Sequence, residues 1–201
     1  NVAIGNYAMD ATTTGDVNVA IGYRALSANT TGGYNTAVGK DAMLLNTTGG
    51  LNTAIGHQAL NKNTTGNNNT VVGINSMLDN TTGIQNSAFG TDALPRNTTG
   101  GYNTALGGYA LTTSTTASYN TAAGWGSLYA NTTGTRNIAM GYRALDGPDT
   151  ENDNLAIGYD ALGGAIAGGE YNVAIGNYSL DALTSGDKNT GVGYNALTGV
   201  T

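Results

Sequence analysis

Residues 46–56 read NTTGGLNTAIG, and close variants of this string recur along the chain. Aligned on the Asn before the small-apolar pair, the units begin at Asn1, Asn18, Asn35, Asn52, Asn69, Asn86, Asn103, Asn120, Asn137, Asn154, Asn172 and Asn189. The step is 17 residues throughout, except for 18 between Asn154 and Asn172. Twelve units therefore fill residues 1–201 as a single repeat domain. Because Asn1 already stands in mid-pattern, the chain is expected to be a fragment of a longer fibrous protein, with any signal or anchor elsewhere.

The unit reads N-T/V-A-I/V-G-x-x-A-L-x-x-N-T-T-G-x-x, and places within it are numbered 1 to 17 below. Place 5 is Gly in every unit, place 8 is Ala or Ser, and place 9 is Leu or Met. Short apolar stretches such as VAIG, broken by Gly, suit strands of four or five residues. Seventeen residues are too few for a helix hairpin, and leucine-rich repeats need about 20 or more. One coil of an all-β parallel β-solenoid (a β-roll) fits instead. Its expected course is a strand, a Gly corner, a second short strand through Ala-Leu, and a polar return through NTTG. With coils stacked every ~4.8 Å, twelve make a rod roughly 55–60 Å long. No unit can bury its own core, so each depends on its neighbours.

Stacking explains the invariance. Identical residues lie above one another, so Asn18, Asn35, Asn52 and Asn69 should form a side-chain ladder along the axis. Gly22, Gly39, Gly56 and Gly73 suit a corner needing positive φ or close backbone approach. The near-constant Ala at place 3 marks a tight interior. Bulky residues at places 4 and 9 then need another home, because places 3 and 4 point to opposite faces of a strand. Ile21, Val38, Ile55 and Val72, with Leu26 and Leu60, are thus candidates for an oligomer interface, since a long exposed apolar stripe normally marks one. Cyclic three-fold association would bury one stripe per chain. A wider, monomeric coil holding both rows inside is the alternative.

Composition narrows the partners. Only 10% of residues are charged, there is no Cys, and the net charge is -6. Seven scattered basic residues do not make the clustered footprint that nucleic acid requires. No run approaches the ~20 apolar residues of a membrane span, so membrane attachment is expected only through parts outside this chain.

The strings NVAIG (1–5, 18–22, 172–176) and NTAIG (52–56) resemble the head repeats of YadA-like trimeric autotransporter adhesins. That resemblance implies a left-handed parallel β-roll, three chains side by side, and adhesion at a bacterial surface. The fuller unit NTAIGxxALxxNTTGxY is also similar to repeats of phage tail-fibre-like and bacterial "tail fiber domain" proteins. The adhesin repeats are shorter, nearer 14 residues, which makes the NTTGxY return an extended loop.

Catalytic, cofactor and metal sites are not expected. The lone His57 stands at the variable place 6. Asp146, Asp149, Glu151 and Asp153 offer oxygen ligands for Ca²⁺ but lack the spacing of a calcium loop, which favours an irregular solvated return. The sequons at Asn29, Asn46, Asn63, Asn80, Asn97 and Asn131 are accounted for by stacking without sugar. Trp125 and Tyr129, close together in one unit, and Tyr102 and Tyr119, both at place 17, could contact a ligand such as a glycan. The irregular segments 146–153 and 163–170 are the least repetitive surface. The expected function is a non-enzymatic structural and adhesive fibre segment, extracellular, on a bacterial cell surface or virion tail fibre. It is expected to be a homotrimer whose partner is a host-surface glycan or protein. The alternative is an ice-binding solenoid using two Thr files, Thr30, Thr47, Thr64 and Thr81 beside Thr31, Thr48, Thr65 and Thr82. Those files are adjacent in sequence, however, and adjacent residues in extended chain point opposite ways.

Overall fold

The triplet after each ladder Asn, such as Thr53-Ala54-Ile55, is extended in every coil because its backbone groups can pair only with the coils above and below. The computed structural model describes residues 1–147, 150–164 and 169–199. It contains twelve strands: β1 (Val2–Ile4), β2 (Val19–Ile21), β3 (Thr36–Val38), β4 (Thr53–Ile55), β5 (Thr70–Val72), β6 (Ser87–Phe89), β7 (Thr104–Leu106), β8 (Thr121–Ala123), β9 (Ile138–Met140), β10 (Leu155–Ile157), β11 (Val173–Ile175) and β12 (Thr190–Val192). They form one 12-stranded parallel sheet in sequence order. Register is strict: Ala37 pairs with Ala54, and Val38 with Ile55. The chain is an all-β parallel solenoid, with one strand per coil among the described residues.

A second short strand through Ala-Leu, expected from the sequence, is not formed among the described residues. In coil 4, Gln58 and Leu60 take left-handed φ values of 57° and 52°, which no strand allows. Arg24 and Leu26, and Asp41 and Met43, do the same, so places 7 and 9 are αL in coil after coil. Place 17 is αL as well, at Tyr34, Leu51 and Asn68. For an L-residue this costs about 1–2 kcal/mol each. Part of the offset is the interlayer hydrogen bond that the conformation aims, such as Leu60 N–H to the Ser76 carbonyl at 3.0 Å. The rest is side-chain burial, since Leu60 is completely enclosed and a buried Leu is worth roughly 1.5–3 kcal/mol.

The core is a narrow column. It consists of place-3 Ala (Ala20, Ala37, Ala54), place-8 Ala and place-9 Leu or Met (Leu26, Met43, Leu60, Met77), all fully buried. Leu26 and Leu60 therefore pack inside their own chain and cannot form an oligomer interface. The chain leaves the strand at the place-5 Gly, and the αL residues at places 7 and 9 turn it so that place 9 lands on the core column with place 3. The place-4 residues do face away, with Ile21 37% and Ile55 41% exposed. The wider coil with both rows inside is excluded by the same observation.

Two Asn ladders seal this column. At place 1, Asn52 N–H donates to Asn35 Oδ1 at 3.0 Å while Asn52 Nδ2 donates to the Gly66 carbonyl at 2.9 Å. The pattern repeats at Asn35 and Asn69. At place 12, Asn63 Nδ2 donates both to Asn46 Oδ1 at 2.7 Å and to the Gly66 carbonyl at 3.0 Å. Polar groups buried this completely are normally paired, and here each coil pairs those of the next, except that Asn97 Oδ1, the Ser114 hydroxyl and Asn131 Oδ1 have no hydrogen-bond partner among the described residues.

Gly at place 5 is required twice over. Its φ runs from 125° to 140° in all twelve coils, a region open only to Gly. A Cβ at Gly5 would also stand 2.6 Å from the Gly22 carbonyl oxygen.

Candidate functional site

The strand face is the first distinctive surface. Around each inward Ala, places 2 and 4 project outward, giving the rows Val19, Thr36, Thr53, Thr70 and Ile21, Val38, Ile55, Val72. The second row continues through Phe89, Leu106 and Met140, which are exposed. Strict register stacks these side chains into an apolar stripe roughly 50 Å long at ~4.8 Å per coil. Of the six interface candidates, the fold brings Ile21, Val38, Ile55 and Val72 together here and removes Leu26 and Leu60 to the core.

The two Thr files behave differently. Thr30, Thr47, Thr64 and Thr81 are half-buried, and each hydroxyl donates to the backbone carbonyl of the Thr one coil on, at 2.9–3.1 Å. Thr31, Thr48, Thr65 and Thr82 are exposed. Only one of the two files thus presents itself fully to water. Sequence reading missed a different juxtaposition on the strand face, where Thr36, Thr53 and Thr70 stand beside the place-4 row across an inward residue. The alternation Thr-Ala-Ile was its available signal.

The second distinctive surface is aromatic. Just past the place-5 Gly, Trp125, Tyr142 and Tyr159 stack on consecutive coils, with centroids 5.2 and 5.1 Å apart and planes within 12° and 13° of parallel. Tyr109 meets Trp125 edge-on at 5.6 Å, and Tyr178 continues the column from Tyr159 at 5.3 Å. Tyr102 and Tyr119 stack separately at 4.9 Å in the place-17 column, so the four aromatic candidates fall into two groups. Trp125 and Tyr129 share a cleft of about 300 Å³ with Tyr109, Gly126, Tyr142, Arg143 and Asp146. Tyr109 and Tyr142 went unnoticed in the sequence because they belong to other units and come close only through stacking.

Electrostatics at this corner are local. Arg143 Nε donates to Asp146, and that hydrogen bond holds the Arg143 guanidinium above its ordinary pKa. One coil on, burial pushes the Asp160 carboxyl above the usual carboxylate range, against the opposing pull of Arg143. Burial likewise raises the Tyr159 phenol.

The acidic segment is engaged within the fold. Asp146 pairs with Arg143 and Asp153 with Arg136, the latter through two hydrogen bonds of 2.6 and 2.7 Å. Asn152 accepts from Thr135 and donates to Glu170. Asp149, and residues 165–168 of the second irregular segment, lie outside the described residues. No group of three or more metal-ligating side chains occurs among the described residues. His57 is exposed at the place-6 corner.

No family model, curated protein or solved structure matches the chain.

Proposed function

We propose that the chain is a non-enzymatic segment of an extracellular fibre, of the kind found on bacterial cell surfaces or phage tails. Its work is to give reach and to display a repeated polar surface to a host glycan or protein. Within the fibre, three copies associate side by side as a homotrimer through the strand face.

One observation supports this reading above others: the in-register stripe Ile21, Val38, Ile55, Val72 along the strand face. Each of these side chains keeps a substantial part of its surface in water, and packing against a second copy would remove it. A parallel repeat lets one favourable contact recur at every coil, so small gains add along the rod.

Sedimentation equilibrium tests it. The wild-type chain, 20.2 kDa as a monomer, should sediment at three times that mass. Ile55→Asp with Phe89→Asp should sediment as a monomer with an unchanged circular dichroism spectrum, because both positions face away from the core. A wild-type monomer would overturn lateral assembly. Ice shaping with thermal hysteresis would instead assign the exposed Thr31, Thr48, Thr65, Thr82 file to ice.

A further inference from the structure

Gly126 is a glycine that the backbone does not require. It occupies place 7, where Tyr109 and Arg143 in the adjoining coils adopt the same left-handed φ with full side chains: 64° against 60° and 52°. Crowding does not require it either, since a Cβ there would meet only Arg143 Cγ, at 3.6 Å, an ordinary contact. Gly108, beside it in coil 7, is equally unforced: a Cβ would lie 3.5 Å from Trp125 Cδ1. These two glycines contrast with the place-5 column, where a side chain is sterically impossible. Together they leave the chain's only Trp 47% exposed beside a side-chain-free step in the wall.

We infer that this step is a binding slot for one uncharged pyranose ring of a host glycan. The inference rests on the adhesive reading above and names the ligand class for its aromatic corner. The gap spans one coil, ~4.8 Å, so a single flat ring can enter where the place-7 side chain would have been. Tyr109, Tyr129 and the part of Trp125 not covered by its stack on Tyr142 offer aromatic surface to the C–H face of a sugar. Arg143 has donors beyond the Nε that binds Asp146, and the tyrosine hydroxyls both donate and accept, matching a ring rimmed with hydroxyls. Charge selects among flat ligands. Arg143 and Asp146 cancel in the cleft wall, and Asp160 and Asp181 border the adjoining cleft, so an anionic sugar is disfavoured. With Arg143 and Asp146 paired, the wall supplies no free carboxylate of its own to hold a quaternary ammonium, which an aromatic cage alone would favour.

Because Trp125 is the only tryptophan, its fluorescence reports the slot directly. The probes are neutral hexose and N-acetylhexosamine oligosaccharides, free in solution and immobilised on an array. Wild type should show a saturable change in Trp125 emission and retention on at least one of these sugars. Gly126→Tyr fills the slot with a residue the same place already accepts at Tyr109 and Tyr178, so the fold is kept. It should lower affinity about tenfold or more, equivalent to ~1.4 kcal/mol. Retention of Gly126→Tyr equal to wild type would overturn the slot while leaving the adhesive reading intact. An emission response to phosphocholine but not to sugar would overturn the ligand class. Retention of neither protein on any sugar overturns the inference, and the homotrimer then stands or falls by sedimentation alone.

Discussion

Ala117 carries a methyl group where the coils around it place the side-chain oxygen of a buried Asn, and Ser114, three residues earlier, is what makes room for it. In coil 3 a Cβ at Gly49 would stand 2.4 Å from the Gly66 carbonyl oxygen of the next coil and 2.5 Å from Asn46 Oδ1, so both the next coil's backbone and an Asn at place 12 favour Gly at place 15. Coil 7 changes both residues at once. The consequence is a broken ladder: Asn97 Oδ1 and the Ser114 hydroxyl are buried without a hydrogen-bond partner among the described residues.

Restoring the pair should therefore stabilise the rod, but only when both residues change. Ser114→Asn with Ala117→Gly offers Nδ2 to Asn97 Oδ1 and a new acceptor to Asn131. The gain should be about 1–3 kcal/mol, the cost of a buried polar group left unpaired. Ser114→Asn alone should destabilise through the clash with the Ala117 methyl. Denaturant unfolding of the two single variants and the double variant, read as a double-mutant cycle, should give a favourable coupling. Additive effects would contradict the shared-space account.

Leu60→Ala and Ile55→Ala should differ sharply although both remove bulky apolar residues from one coil. Leu60 is fully enclosed and Ile55 is 41% exposed. The first should cost about 2–5 kcal/mol. The second should leave an isolated monomer almost unchanged and weaken association instead. Thermal unfolding at low protein concentration, paired with sedimentation, separates the two effects.

Val17→Asn should raise stability by about 1 kcal/mol. Val17 holds φ 59° with 59% of its surface exposed, so a β-branched residue sits in the left-handed region with little burial in return. Asn68 occupies the same place with φ 59°. Amide hydrogen exchange in coils 1 and 2 should slow in the variant. Faster exchange would show that Val17 packing outweighs its strain.

Two carboxylates should shift the pH dependence in opposite directions. The hydrogen bond from Arg136 holds Asp153 below the usual carboxylate range. Its stabilising contribution is therefore present above the unfolded-state value of about 3.9 and fades as pH falls through the folded-state value. Asp160, raised by burial, disfavours folding increasingly as pH rises past its unfolded-state value, and the penalty is complete above its folded-state value. Asp153→Asn should lower the melting temperature near pH 7 and converge with wild type in acid. Asp160→Asn should raise it near pH 7 and likewise converge in acid. Both residues are already αL, where Asn is well tolerated, so the comparison isolates charge.

The aromatic corner was legible only in part. Trp125 and Tyr129 are four residues apart in one unit, so their shared cleft could be suspected. Tyr109, Tyr142 and Arg143 enter it from neighbouring coils, at distances set by stacking rather than by chain separation. Tyr102 and Tyr119 share a unit place and duly stack, but on a different column from Trp125.

The 17-residue period by itself determined the coil count, the parallel register and the identity of each ladder, because any residue repeated at the coil length must lie over its copies. It also marked Ala54 and its equivalents as interior and Gly56 as a corner. The tertiary structure alone decided which bulky row faces inward. Strand alternation places Ala54 and Ile55 on opposite faces, but it stops at Gly56, and the αL residues Gln58 and Leu60 turn the chain by an amount no hydrophobic period encodes. Leu60 is thereby carried into the core while Ile55 is left on the surface.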